Sequence, residues 1–189
     1  TSNIDLNATF KRKDYSLTIH NTADGQTSGD GTYPFESNVT IIATPNTGYV
    51  FSNWTGDVQY LADVNSSTTT VTIPSSDVNI APSFSPKTYQ VSVTSDANGS
   101  ATGAGNYTYG SIAVLNATGG GPNPPGSLTG YEFSQWTLAN QAGVESNSSS
   151  NPLSIQVDGN YSVFASFTPI IANVHDLNLS VSPTGGGIV

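Results

Sequence analysis

The stretch from Tyr15 to Phe84 recurs, diverged but in the same order, from Tyr89 to Phe167. An internal repeat of that length fixes the organisation of a chain before any single residue is read. Each copy begins with an alternating segment (Tyr15, Leu17, Ile19; Tyr89, Val91, Val93) and then a glycine-rich turn. A tyrosine follows (Tyr33; Tyr107), then a second alternating segment (Val39, Ile41; Ile112, Val114). Next comes GYxFSxWT, at Gly48 to Thr55 and Gly130 to Thr137, and a closing segment, VNIAPSF or YSVFASF, ends the unit. Apolar residues recur with period 2 between Gly, Pro, Asn and Asp clusters, and helical periodicity is absent. That pattern predicts an all-β protein of two tandem small domains, sandwich-like in an immunoglobulin-like or β-grasp-like manner. Domain 1 spans residues 14–86 and domain 2 residues 87–189, after an N-terminal strand and hinge at 1–13. Phe51 with Trp54, and Phe133 with Trp136, are the expected core anchors, because aromatic rings bring the largest apolar areas.

The two ends repeat parts of the same frame. IDLNATF (Ile4 to Phe10) aligns with the closing segments: Ile4 with Val78 and Tyr161, Leu6 with Ile80 and Val163, Ala8 with Pro82 and Ala165, Phe10 with Phe84 and Phe167. At the other end Leu177, Leu179 and Val181 take the places of Tyr15, Leu17 and Ile19. Gly187 follows Val181 by six residues, as Gly25 follows Ile19. The chain therefore holds two full units plus an opening strand and a closing strand without partners in their own frame. Amphipathic strands are seldom left unpaired. Either each folds onto its own molecule and extends a sheet, or one completes a neighbour's sheet by strand addition. The second case, with residues 4–10 as donor and 177–181 as candidate acceptor, is a heterologous head-to-tail contact that yields an open polymer. Burying Ile4, Leu6 and Phe10 would contribute roughly 5–9 kcal/mol gross.

The order of alternating strand, glycine-rich turn, GYxFSxW and a V-x-A-x-F closing strand resembles the internalin B-repeat-like domains of prokaryotic surface proteins. The resemblance implies an extracellular structural module, a stalk or spacer. The second copy departs from it in the insert GGGPNPPGSL, where Pro124 and Pro125 predict a loop, and in Leu138 to Asn140 after the Trp motif.

Composition narrows the function classes. Thirteen carboxylates stand against four bases, Lys11, Arg12, Lys13 and Lys87, giving a net charge of −9. Phosphate neutralisation needs a basic surface, so nucleic acid is not an expected partner, and an acidic chain is poorly suited to anionic lipid. No apolar run approaches the ~20 residues of a membrane-spanning helix, so direct membrane insertion is not expected. The absence of Cys excludes disulfides and thiolate metal sites. The absence of Met suggests a secreted, mature form whose signal peptide is gone.

Ten Asn-X-Ser/Thr sequons occur, at Asn7, Asn38, Asn53, Asn65, Asn98, Asn106, Asn116, Asn147, Asn160 and Asn178. From 18 Asn and 49 Ser or Thr, chance gives about 5, so the excess is two-fold. Asn65 and Asn147 are expected in Ser/Thr-rich loops, and Asn53 is expected to be crowded by Trp54. No cofactor is expected beyond N-linked glycans, and the expected partner is the chain itself, with cell-surface or substratum contacts besides. Spare terminal strands together with dense sequons resemble the thread-filament subunits of thermoacidophilic archaea. That resemblance implies a glycosylated, adhesive surface pilus built by strand donation.

Other candidates are weaker. His20 and His175 flank alternating strands, with no Cys or carboxylate pair beside them, and no catalytic or metal site is expected. Asp24 and Asp30 in ADGQTSGDG suit either turns or a calcium ion. Lys11, Lys13 and Lys87 are isopeptide candidates on linkers that look solvent-facing, and the basic trio at 11–13 reads as a solvated hinge. Trp54 and Trp136 have a sugar-stacking alternative, which would make the chain a carbohydrate-binding accessory module.

Overall fold

The computed structural model describes residues 7–121 and 130–170. Its alternating segments form strands, joined by shorter strands between them, and among the described residues the one helical element is a single 3-10 turn at Val58–Tyr60. The first repeat contains β1 (Asp14–Ile19), β2 (Gly25–Ser28), β3 (Gly31–Pro34), β4 (Asn38–Pro45), β5 (Tyr49–Gly56), β6 (Thr68–Thr72) and β7 (Val78–Pro86). One sheet runs β3-β1-β7-β5 and the other β2-β4-β6. The closing strand β7 lies parallel to the opening strand β1, with Leu17 opposite Val78 and Ile19 opposite Ile80. It is antiparallel to β5 on its other side. A closing strand is thus the centre of its sheet.

The second repeat contains β8 (Thr88–Ser95), β9 (Gly99–Thr102), β10 (Gly105–Thr108), β11 (Ile112–Gly119), β12 (Tyr131–Asn140), β13 (Glu145–Ser148), β14 (Leu153–Gln156) and β15 (Tyr161–Pro169). Its sheets, β10-β8-β15-β12-β13 and β14-β11-β9, repeat the plan with one strand added. The addition is β13, which pairs with the extended end of β12. Leu138 to Asn140, read from sequence as a departure from the family pattern, are the residues that lengthen β12.

Period 2 sorts the side chains. Along β4, Val39, Ile41 and Ala43 are buried and Asn38, Thr40 and Ile42 are exposed. They join Leu17, Ile19, Trp54, Val71, Ile73, Val78 and Ile80 in the first core. Phe51 and Trp54 are three apart, so in a regular strand they would face opposite sides of the sheet. A β-bulge between Phe51 and Asn53 shifts the register by one residue and brings both rings inward. The second repeat has the same bulge between Phe133 and Gln135. Each indole N–H donates to a backbone carbonyl at 3.0 Å, Trp54 to Ser66 and Trp136 to Ser150. The Trp side chains therefore sit at 1% and 0% exposure without an unpaired donor.

By contact density the described chain divides into two compact units. One takes residues up to Gln90 together with 106–113 and 155–160, and the other takes 91–105, 114–154 and Tyr161 onward.

Candidate assembly site

The polymerisation reading centres on Phe10, because the structure shows how a closing phenylalanine is housed. In the first repeat Phe84 meets Phe51 edge-on at 6.1 Å, and Phe51 leans on Trp54 at 5.6 Å. In the second, Phe167 meets Phe133 at 6.1 Å, and Phe133 meets Trp136 at 5.3 Å. Gly25 lies against the Phe84 ring and Gly99 against the Phe167 ring, each so close that a Cβ would overlap the aromatic carbons. A closing Phe thus requires a glycine and a Phe-x-x-Trp strand. Phe10, at the same register, is 94% exposed, and Asn7, Ala8 and Thr9 beside it are exposed too. Ile4, Leu6, Leu177, Leu179 and Val181 lie outside the described residues, as do Asn178, His175, Pro124 and Pro125.

The basic trio is more tied down than a solvated hinge. Lys11 approaches Asp14 at 3.7 Å, Arg12 donates to the Phe35 carbonyl at 3.1 Å and approaches Glu36 at 3.7 Å, and Lys13 lies 5.0 Å from the centre of the Tyr15 ring. All are surface contacts of about 0–1 kcal/mol each, so they orient the segment without fixing it.

A cluster the sequence did not single out joins strand ends inside the first compact unit. Tyr109 packs at 5.9 Å from Tyr49 and 6.5 Å from Tyr89. The Lys87 amide donates to the Gly48 carbonyl at 2.7 Å, and the Tyr109 amide donates to the Lys87 carbonyl at 2.8 Å. Half of this arrangement recurs one repeat earlier: the Phe35 amide donates to the Lys13 carbonyl at 2.9 Å, and Phe35 lies 6.5 Å from Tyr15. The available signal was an aromatic three residues before the second alternating strand in both copies, Phe35 before Asn38 and Tyr109 before Ile112. Tyr49 also faces Asp24, whose charge, together with burial, a hydrogen bond to that carboxylate and the nearby Tyr109, raises the phenol pKa above its ordinary value.

The sequons fall on different surfaces. Asn7, Asn38, Asn65, Asn106, Asn116, Asn147 and Asn160 are exposed. Asn65 lies in a turn as expected, but Asn147 lies in the edge strand β13, because the β12–β13 hairpin recruits the Ser-rich segment into a sheet. Asn98 is half-buried. Asn53 sits at the bulge, and its amide nitrogen donates to the Trp54 carbonyl at 2.8 Å, so the acceptor atom is engaged.

Burial of both Trp side chains leaves no ring face for a sugar, and the stacking alternative is withdrawn. Asp24 and Asp30 stand at opposite ends of β2, and no group of three or more His, Cys, Asp or Glu that suits a metal occurs among the described residues. His20 follows β1, with its amide donating to the Ile80 carbonyl at 2.9 Å. No helix among the described residues is long and apolar enough to cross a membrane.

These features define a tandem pair of small two-sheet β repeats, preceded by a segment in which Phe10 is exposed. The chain belongs to the divergent InlB B-repeat domain family, which it matches twice, over residues 15–88 and 89–171. No curated protein and no solved structure matches it.

Proposed function

We propose that this chain is a structural subunit of an extracellular, N-glycosylated cell-surface filament. Subunits join head to tail when residues 4–10 of one molecule add as a closing strand to the next. The observation that carries this reading is Phe10, 94% exposed where both of its counterparts pack against a Phe-x-x-Trp pair. The observed pairing of opening and closing strands supplies a register. By analogy with Leu17–Val78 and Ile19–Ile80, the proposed contact pairs Ile4 with Leu179 and Leu6 with Val181 in parallel. The surface-repeat family supports export, and the sequon excess supports glycosylation.

The test is microscopy and sedimentation of purified chain with and without residues 1–12. Filaments that vanish on deletion support the reading, whereas filaments that persist overturn strand donation. Because the chain lacks cysteine, the pair Ile4→Cys and Leu179→Cys reports the register directly as a ladder of disulfide-linked multimers.

A second reading is a spacer segment of a longer surface adhesin. It is favoured by the direct succession of β7, ending at Pro86, and β8, beginning at Thr88, which leaves almost no linker between repeats. A monomer whose melting ignores the deletion favours this reading.

A further inference from the structure

The first repeat carries a groove of about 660 Å³ with no equivalent use in the reading above. Phe35, Tyr60 and Leu61 supply apolar surface, and Asn38, Gln59, Thr70 and Thr72 supply amides and hydroxyls. The charged group at its edge, Glu36, is paired with Arg12. Half-buried rings beside neutral donors and acceptors suit a neutral, hydroxylated ring with one apolar face: a pyranose.

Asn38 lies in that lining and is the acceptor of the sequon Asn38-Val39-Thr40. It is exposed at the first position of β4, just after the turn in which the Ser37 amide donates to the Pro34 carbonyl. Its side-chain oxygen accepts the Thr72 hydroxyl at 2.9 Å, which fixes the amide plane while leaving the nitrogen as the site of substitution. The second repeat lacks both parts together. Ile112 stands where Asn38 stands, and β12 continues to Asn140 where the first repeat turns at Val58–Tyr60 to raise the Tyr60 wall.

We infer that Asn38 is N-glycosylated and that the groove holds the first sugars of its own glycan, with a pyranose face on Tyr60 and Phe35. The Asn38 side-chain nitrogen attacks the anomeric carbon of a lipid-phosphate-linked oligosaccharide. A C–N bond forms, the C–O bond to phosphate breaks, and one amide proton leaves to the transferase. Tethering supplies the sugar at high effective concentration, so a weak stack suffices. The docked glycan covers apolar surface and ties the Phe35–Asn38 turn to β6. This inference rests on the export and glycosylation in the proposed function, not on polymerisation.

The experiment expresses the full chain in a host that N-glycosylates exported proteins and in one that does not. Glycopeptide mass spectrometry is read at every sequon, and melting is followed for wild type, Asn38→Gln, Tyr60→Ala and Thr72→Val. Asn38 is expected to be occupied. Its glycan is expected to raise the melting temperature by roughly 2–4 °C and to slow amide exchange of the Phe35–Asn38 turn about fivefold. Both gains disappear in Tyr60→Ala. Should Tyr60→Ala fold poorly, loss of the exchange effect in Thr72→Val serves instead. Equal gains in wild type and variants mean a solvated glycan and overturn the docking. An empty Asn38 with other sequons occupied overturns the inference and leaves the filament reading standing, whereas no occupancy anywhere overturns both this inference and the glycosylated part of that reading.

Discussion

Gly48 and Gly130 hold the same place in two copies of one motif, yet only the first is buried. Gly48 adopts φ +84° and lies beneath the Tyr109 ring, so close that a Cβ would overlap it. A Cβ added at Gly130 would meet the Gly120 carbonyl at 3.5 Å and the Ile170 side chain at 3.8 Å, ordinary contacts without overlap. The two Trp side chains, by contrast, are buried alike and make the same indole hydrogen bond. Residues that serve a repeat's interior are therefore equivalent between copies, whereas residues at its ends take their constraints from what is packed against them. The three closing phenylalanines make the same point: two are housed, and the third, Phe10, is bare.

The phenylalanines give the largest expected contrast. Phe167→Ala should cost about 3–5 kcal/mol, the range for a fully buried ring. Phe84→Ala, at a half-buried position, should cost somewhat less, about 2–3 kcal/mol. Phe10→Ala should leave denaturant melting of the isolated subunit within about 0.5 kcal/mol, yet remove multimers from sedimentation profiles. A loss of subunit stability on Phe10→Ala comparable with Phe84→Ala would place Phe10 in its own chain's core and break the comparison.

The glycines sharpen it at a smaller scale. Gly48→Ala imposes a positive φ on a residue with a Cβ and collides with Tyr109, and should cost about 1–3 kcal/mol. Gly130→Ala should stay within about 0.5 kcal/mol. Paired chemical denaturation curves measure both. If Tyr109→Ala is introduced first, the collision part of the Gly48→Ala cost should fall while the backbone part remains.

Much of this was legible in the sequence because the physics is local. Period 2 named β1, β4, β5, β7 and their counterparts, and the repeat alignment supplied their order. In β11, however, it chose the wrong face. Ala113 and Leu115 are buried where Val39 and Ile41 are, and Ile112 and Val114 are exposed, because small Ala113 and Ala117 hide the inward alternation. The short strands β2, β3 and β6 were harder: four- and five-residue runs such as GQTS and TTTVT carry too few apolar residues for alternation to register. The bulge was readable in principle, since Phe and Trp at odd spacing cannot share one face of a flat strand. What the sequence could not show was pairing between distant segments. Nothing in GTYPFESN announces that Phe35 and Tyr60 flank one groove, because Tyr60 arrives through a 3-10 turn that lacks periodicity. The basic trio at 11–13 is exposed, as its run of charge suggests, but its distant partners, the Phe35 carbonyl and Glu36, become neighbours of Arg12 only when β1 and β3 pair. At Asn147 Ser-rich composition predicts a loop, whereas the β12–β13 hairpin sets a strand there.

The smallest expected effect concerns the charge beside Tyr49. The second repeat has Asn98 where the first has Asp24, so only the first repeat puts a carboxylate against this tyrosine. The Asp24 charge is the main cause of the raised Tyr49 pKa, with burial, the hydrogen bond and Tyr109 adding to it. A group whose pKa is raised on folding contributes stability that is fully present below its unfolded value, about 10 for tyrosine. That contribution is lost as pH climbs through the higher folded value. Alkaline melting should accordingly show a small extra loss of stability above about pH 10 in the wild-type chain. Asp24→Asn makes the first repeat resemble the second. It should bring the phenolate absorbance of Tyr49 down toward the ordinary range and flatten the extra loss. If Asp24→Asn leaves the titration unchanged, the carboxylate is not what holds this proton, and the difference between the two repeats at this position has no electrostatic content.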